Sequence, residues 1–189
     1  MGNFYVNMTA KGAEQDEVLA TVTKLGRKAF VFPTVSGFTV FCDAQAETQE
    51  RRIIDELARK ASHDLGCPVF CVLNHDDDIL WYGLYEQGEL LDEYDSSPGY
   101  FEGQFSPPKG GNAANLCRIM GVTDSKAVAA VEAALRKPHS EEGYIFEVER
   151  HAALAKAVGL PSCSVGIGYS YLQRGELPDG LRREDVRRS

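Results

Sequence analysis

The chain has 189 residues, of which 43% are apolar and 25% charged, a composition that excludes wholesale disorder, collagen-like repetition and a disulfide scaffold. Lys and Arg total 20 against 28 Asp and Glu, so a formal charge of -8 repels a phosphate backbone, speaks against general nucleic-acid binding and attracts a basic partner instead. The length suits one large domain or one domain with an appendage and leaves little room for two full ones.

The opening residues Met1 to Val6 carry neither a basic nor an apolar signal segment, and no apolar run reaches the ~18 residues of a membrane span. The five cysteines, Cys42, Cys67, Cys71, Cys117 and Cys163, are scattered through apolar stretches and read as buried thiols of a reducing compartment. A cytoplasmic protein without membrane contact is the expectation.

Phe4, Val6 and Met8 alternate with Tyr5, Asn7 and Thr9, which predicts a strand with one buried face. Val18, Leu19, Val22 and Leu25 recur at helical spacing behind Glu14, Asp16 and Glu17, with Gly26 as the stop. Lys28 to Phe32 and Phe38 to Asp43 form a hairpin through Pro33 to Gly37. From Glu47 to Leu65 one apolar stripe predicts a helix ended by Gly66, with Arg51, Arg52, Glu56, Arg59 and Lys60 available for solvent. Val69 to Leu73 reads as a strand covered on both faces, and Ile79 to Tyr85 and Glu89 to Tyr94 continue it as a meander.

The order strand, helix, strand, strand, helix, strand matches the ferredoxin-like plan, so an α+β fold is expected with a βαββαβ core extended by a β-meander. Ser96 to Gly99 and Ser106 to Gly111 mark a linker, dividing an α+β sheet domain (1–106) from a helical extension (107–189) docked on it as one globular unit. In that extension Ala113 to Met120, Ser125 to Arg136 capped by Asp124, and Ile145 to Val158 read as helices. Ser164 to Leu172, with Val165, Ile167, Tyr169 and Tyr171 alternating against Gly166, Gly168 and Ser170, reads as a terminal strand packed back on the core. The arginines Arg182, Arg183, Arg187 and Arg188 read as a frayed, solvated tail. Tyr82 to Asp92 and Tyr169 to Asp179 share a Tyr, a Gly-Glu-Leu run and an Asp at matching offsets, which reads as two similar turns, not a duplication.

No nucleophile elbow, Walker loop, zinc-protease helix or dinucleotide fingerprint is present. The helix Glu149 to Val158 resembles the first half of a helix-turn-helix, but Gly166 and Gly168 would sit inside its recognition helix. Two constellations remain. His75, Asp76, Asp77 and Asp78 occupy one turn, and Asp92, Glu93 and Asp95 could return alongside it; oxygen ligands in that pattern suit a divalent cation such as Mg²⁺ or Ca²⁺. The contiguous Asp run lacks the Gly and distal Glu of a calcium loop, and a solvated turn is the plain alternative. The stretch Asp92 to Phe101 mixes carboxylates with Tyr94, Tyr100 and Phe101, as a protein-recognition surface or a pocket would.

The segments Val72 to Asp78, Glu93 to Phe101 and Val165 to Pro178 resemble stretches of uncharacterised bacterial proteins of similar length. That resemblance spans most of the chain and implies a bacterial, cytosolic protein without carrying an activity across. The leading functional expectation is a non-catalytic acidic module that binds a basic protein partner, in an immunity-like role. Its candidate binding residues are His75, Asp76, Asp78, Asp92, Asp95, Tyr94 and Tyr100, and it needs no cofactor. The alternative is a metal-dependent hydrolase of a phosphate ester, with a divalent cation on His75, Asp76 to Asp78, Asp92 and Asp95.

Overall fold

The computed structural model describes residues 2–104 and 106–189. Strand β1 (Phe4–Lys11) lies at the middle of an antiparallel sheet, and from Tyr5 to Ala10 it is buried without interruption. The alternation read from sequence as one buried face is therefore two buried faces, the second lined by Tyr5, Asn7 and Thr9. Helix α1 (Gln15–Lys24) leads into the hairpin of β2 (Ala29–Val31) and β3 (Phe38–Asp43), and α2 (Arg51–Leu65) into β4 (Val69–His75). The meander β5 (Ile79–Glu86) and β6 (Glu89–Asp95) follows.

The expected linker is only partly irregular. It carries a 3-10 turn at Tyr100–Glu102, and β7 (Lys109–Gly110) pairs with β6. Helices α3 (Ala113–Met120), α4 (Ser125–Arg136) and α5 (Glu147–Val158) come next, with Asp124 capping α4 through its side chain as expected. The last residues are not frayed, since β8 (Arg187–Arg188) pairs with β2. The eight strands run in the order β7-β6-β5-β4-β1-β3-β2-β8.

One face of the sheet packs Val6, Met8, Cys71 and Trp81 against Val18 and Val22 of α1 and Ile54, Leu57 and Ala61 of α2. On the other face Tyr5, Phe70, Val72, Leu80 and Tyr82 meet Leu116, Val131, Leu135 and Leu154 of the later helices. A third cluster, Phe32, Val40 and Cys42 with Cys163, Ile167 and Leu172, continues that second layer toward β2. Helix α5 carries a fully buried ion pair, in which Arg150 holds both oxygens of Glu147 at 2.6 and 3.0 Å, and the same guanidinium ties α5 to α4 by donating to the Ala134 carbonyl.

The expected strand over Ser164 to Leu172 is absent, and the two resembling turns differ, one being a strand hairpin and the other helical. A 3-10 turn (Ser162–Ser164) is followed by helix α6 (Tyr169–Gln173). Gly166 adopts φ 73°, which breaks any strand there, and a Cβ on Gly168 would come within 2.8 Å of Tyr5 Cβ. Glu47 supplies the reason a helix starts at 169: its carboxylate accepts from the Tyr169 and Ser170 amides, at 3.2 and 3.1 Å, and from the Ser170 hydroxyl at 2.6 Å. Glu47 belongs to a separate 3-10 turn (Ala46–Thr48) because Gln49 is left-handed, with φ 62°, so α2 begins four residues later than its apolar stripe suggests.

Two measurements test this layering. Leu135→Ala, inside the second layer, is expected to cost roughly 2–5 kcal/mol, with Trp81 fluorescence and far-ultraviolet circular dichroism giving one coincident urea transition. Separate midpoints would show that the later helices unfold independently of the sheet.

His151 of α5 is fully buried with its Nδ1 2.8 Å from the Tyr5 hydroxyl, and burial pushes its pKa from 6.5 down to about 3. The folded protein thus holds His151 neutral while the unfolded chain takes a proton below 6.5, so this contribution to stability is complete above 6.5 and is lost as the pH falls toward 3. His151→Gln should flatten the acid limb of the stability curve by up to about 1.4 kcal/mol per pH unit. Equal slopes in the two proteins would contradict the assignment.

Candidate functional site

The turn between β4 and β5 holds three contiguous carboxylates, and it sends each to a different place. Asp76 and Asp77 are both left-handed, with φ 54° and 64°, a conformation that Asp tolerates better than most residues. Asp76 points outward and accepts from the Gly2 amide at 2.8 Å. Asp77 is buried: one oxygen takes the Asn3 amide (2.9 Å) and the Asn3 side chain (2.8 Å), and the other takes Asn74 Nδ2 and the Val148 amide, each at 3.2 Å. Its own carbonyl accepts from the Glu147 amide at 3.0 Å, so Asp77 caps α5 from a distant loop while holding the start of β1. Asp78 turns back to accept the Tyr100 hydroxyl at 2.7 Å, with His139 Nε2 3.9 Å away.

The alternation of β6 divides the second acidic group. Asp92 and Tyr94 face α3 to α5, where Asp92 accepts the Tyr82 hydroxyl (2.8 Å) and the Asn112 amide (2.9 Å). Tyr94 stacks on Tyr82 with ring centres 5.4 Å apart, near the Arg150 guanidinium, and its buried hydroxyl has no hydrogen-bond partner among the described residues. Glu93 and Asp95 face α2. The expected cluster is thus split across the sheet, and among the described residues no group of three or more His, Cys, Asp or Glu is placed to hold a metal ion.

His75, Asp95 and Tyr100 do converge, in a cleft of about 400 Å³ at the end of β4 and β5. Leu73, Ile79 and Trp81 form its floor, the stretch from Thr48 to Arg51 one wall, and the 3-10 turn at Tyr100–Glu102 the other, with Phe4 at the mouth. His75 Nδ1 donates to Gln49 Oε1 at 2.6 Å, and Gln49 in turn donates to the Asn74 carbonyl at 2.8 Å, so the left-handed Gln49 aims the imidazole. The His75 ring packs edge-on to Phe101 (5.1 Å) and tilted to Phe4 (5.3 Å). Phe101 itself is 73% exposed. Asp76 borders an adjoining depression with Phe4, His75 and Arg174.

Arg51 is exposed on α2, as expected, and lays its guanidinium 3.8 Å from the centre of the Trp81 ring. It pairs with Glu93, which also accepts Trp81 Nε1 at 2.9 Å, and reaches Asp95 only at 3.7 Å. Burial is the largest influence on both partners, raising the Asp95 pKa and lowering that of Arg51. Asp95 is steadied by the Ser97 amide at 3.0 Å. The cleft therefore offers a partly desolvated, loosely paired carboxylate among aromatic rings, an arrangement suited to holding a cation.

The thiols add no nucleophile: all five cysteines are free and buried, and burial pushes Cys67 and Cys163 up to about 11. Sequence reasoning missed Phe4, Gln49, Arg51, Trp81 and Glu102. Trp81 is the only tryptophan, and Phe101 stood inside the acidic-aromatic stretch already singled out, so part of the signal was present. Comparison with protein-family models, curated proteins and solved structures finds no match for the chain.

Asp77→Ala should cost roughly 2–4 kcal/mol, the sum of a lost helix cap and stranded buried donors, whereas Asp76→Ala should stay within about 0.5 kcal/mol. Chemical denaturation of the two variants side by side checks the contrast, and equal losses would contradict the separate roles of these neighbours.

Proposed function

We propose that the chain is a non-catalytic binding module whose cleft at the end of β4, β5 and β6 receives a basic segment of a protein partner. The supporting observation is Asp95, a carboxylate raised in pKa by burial, 3.7 Å from an Arg51 already engaged by Glu93 and Trp81, at the edge of an aromatic cleft. A Lys or Arg side chain entering there gains the carboxylate and aromatic faces together, a contact worth about 0.5–2 kcal/mol for the rings alone. The mouth carries the exposed Phe4 and Phe101 with Asp78 and Glu102 nearby, so an apolar residue next to the cation would also be covered. A net charge of -8 steers such a partner toward the protein.

In this reading β4-β1-β3-β2 with α1 and α2 on one face is a ferredoxin-like core, its meander extension carries the cleft, and the later helices dock as part of the same unit. An immunity-type pairing with a cationic protein in a bacterial cytoplasm is one concrete form. The rival, a divalent-cation hydrolase, needs Asp92 and Asp95 on one ion, and their opposite facings on β6 speak against it.

Trp81 on the cleft floor is a built-in reporter. Short peptides combining Arg or Lys with an aromatic residue should change its fluorescence, less so as salt is raised, and Asp95→Asn should weaken the response roughly tenfold. An equal response to a Glu-rich peptide, or none to any basic peptide, would sink the proposal.

A further inference from the structure

A second pocket, of about 160 Å³, lies at the opposite end of the sheet, where α6 and the last residues of the chain close over β2. Its walls are apolar, formed by Phe30 of β2, Leu172 of α6, and Leu177 and Val186 of the segments that follow. Those walls are fixed by their surroundings. Leu172 is buried in the cluster with Phe32 and Ile167, and the Phe30 ring is held 5.0 Å from that of Tyr169. Gly175 contributes no side chain to fill the space.

The rim is cationic in an otherwise acidic protein. Most arginines of this region are neutralised: Arg174 pairs with Glu176 (2.9 Å), Arg182 with Glu184 and Asp185 (3.0 Å each), and Arg187 with Asp16. The two that line the pocket are the exceptions, since among the described residues neither Arg183 nor Arg188 has a carboxylate in ion-pair range. Arg188 places its guanidinium 5.4 Å from the centre of the Phe30 ring and donates once, to the Tyr169 hydroxyl at 3.3 Å. A guanidinium has five N–H donors in a planar fork, so among the described residues most of the donors on these two side chains face no acceptor.

An apolar recess bordered by two uncompensated guanidiniums is complementary to one kind of ligand. We propose that this pocket binds a small amphiphilic carboxylate, with its hydrocarbon part on Phe30, Leu172, Leu177 and Val186 and its carboxylate between Arg183 and Arg188. A water molecule's share of liquid volume is about 30 Å³, so a 160 Å³ recess takes roughly five such volumes, the bulk of a chain of about five or six carbons. Hydrogen bonds from guanidinium to carboxylate are charge-assisted and here would form beside an apolar wall, which strengthens them relative to open water. The site is independent of the cleft at the other end of the sheet.

Hexanoate is a suitable probe, measured by isothermal titration calorimetry on the whole chain. Hexanoate should bind, and hexanol, lacking the charge, and acetate, lacking the tail, should each bind at least about tenfold more weakly. Arg183→Gln removes one guanidinium from a side chain that makes no ion pair and should weaken hexanoate about tenfold while leaving the melting temperature unchanged. Leu177→Trp, which fills the recess from a half-buried position, should abolish binding in a protein that still melts cooperatively. The proposal is overturned if hexanoate does not bind, if hexanol binds as tightly, or if Arg183→Gln has no effect. Binding of a peptide that ends in a free Leu carboxylate, without binding of hexanoate, would equally overturn it in favour of a protein terminus.

Discussion

A sheet with both faces covered leaves its central strands nowhere to place an unsatisfied polar group. Strand β1 carries Asn7 and Thr9 on the face that packs under the second half of the chain, and both are buried. Asn7 is tolerated there because its amide donates to the Ser164 carbonyl at 2.7 Å and to the Ile167 carbonyl at 2.9 Å. The irregular stretch before α6 thus presents backbone acceptors to a strand more than 150 residues earlier, and a regular strand there would have spent those acceptors on a neighbour. Asn74 of β4 is satisfied in the same way, through Asp77. Remove the second layer and the polar residues would simply be solvated, but the aromatic residues between them, Tyr5, Phe70 and Tyr82, would stand in water.

Much of the secondary structure was legible because it rests on local signals. Helices α3 and α4 and strand β3 begin and end where apolar period, caps and glycines place them, and the meander follows from two short polar turns. What sequence could not supply was the destination of side chains whose partners are remote. Asn7 and Thr9 look like a solvent face until the chain returns to cover them. Glu47 looks like the first turn of α2 until it is found capping α6, and Val165 to Tyr171 mimics a strand because alternate residues happen to be buried against two different clusters. The candidate site failed in the same way. Three consecutive Asp residues read as one charge cluster, yet two successive left-handed residues splay them, and Asp77 becomes part of the core. Arg51 is exposed as its place on α2 implies, but helix periodicity gives a face and not the aromatic ring that a long side chain can reach.

The same burial that shapes the fold pushes several titratable groups of the interior toward their neutral forms. Tyr5 and Tyr82 are pushed well above the usual phenol range, His151 is held neutral, and the thiols of Cys42 and Cys71 are raised, in each case chiefly by desolvation. The two ends of the sheet differ in character, with Asp95 among aromatic rings at one and Arg183 and Arg188 beside aliphatic side chains at the other. Each end sets charged side chains beside an apolar surface.

The outermost strands, β7 and β8, are only two residues long and carry Lys109 at one border and Arg187 and Arg188 at the other. A long, bare, apolar border would present a row of vacant amides and carbonyls on which another molecule could template, the route by which native sheets begin to aggregate. Here the ladder stops after two rungs on each side, so each outermost strand offers a newcomer only two residues of regular backbone. A wide, aromatic-rich sheet thus ends on both sides in strands too short to template a long ladder.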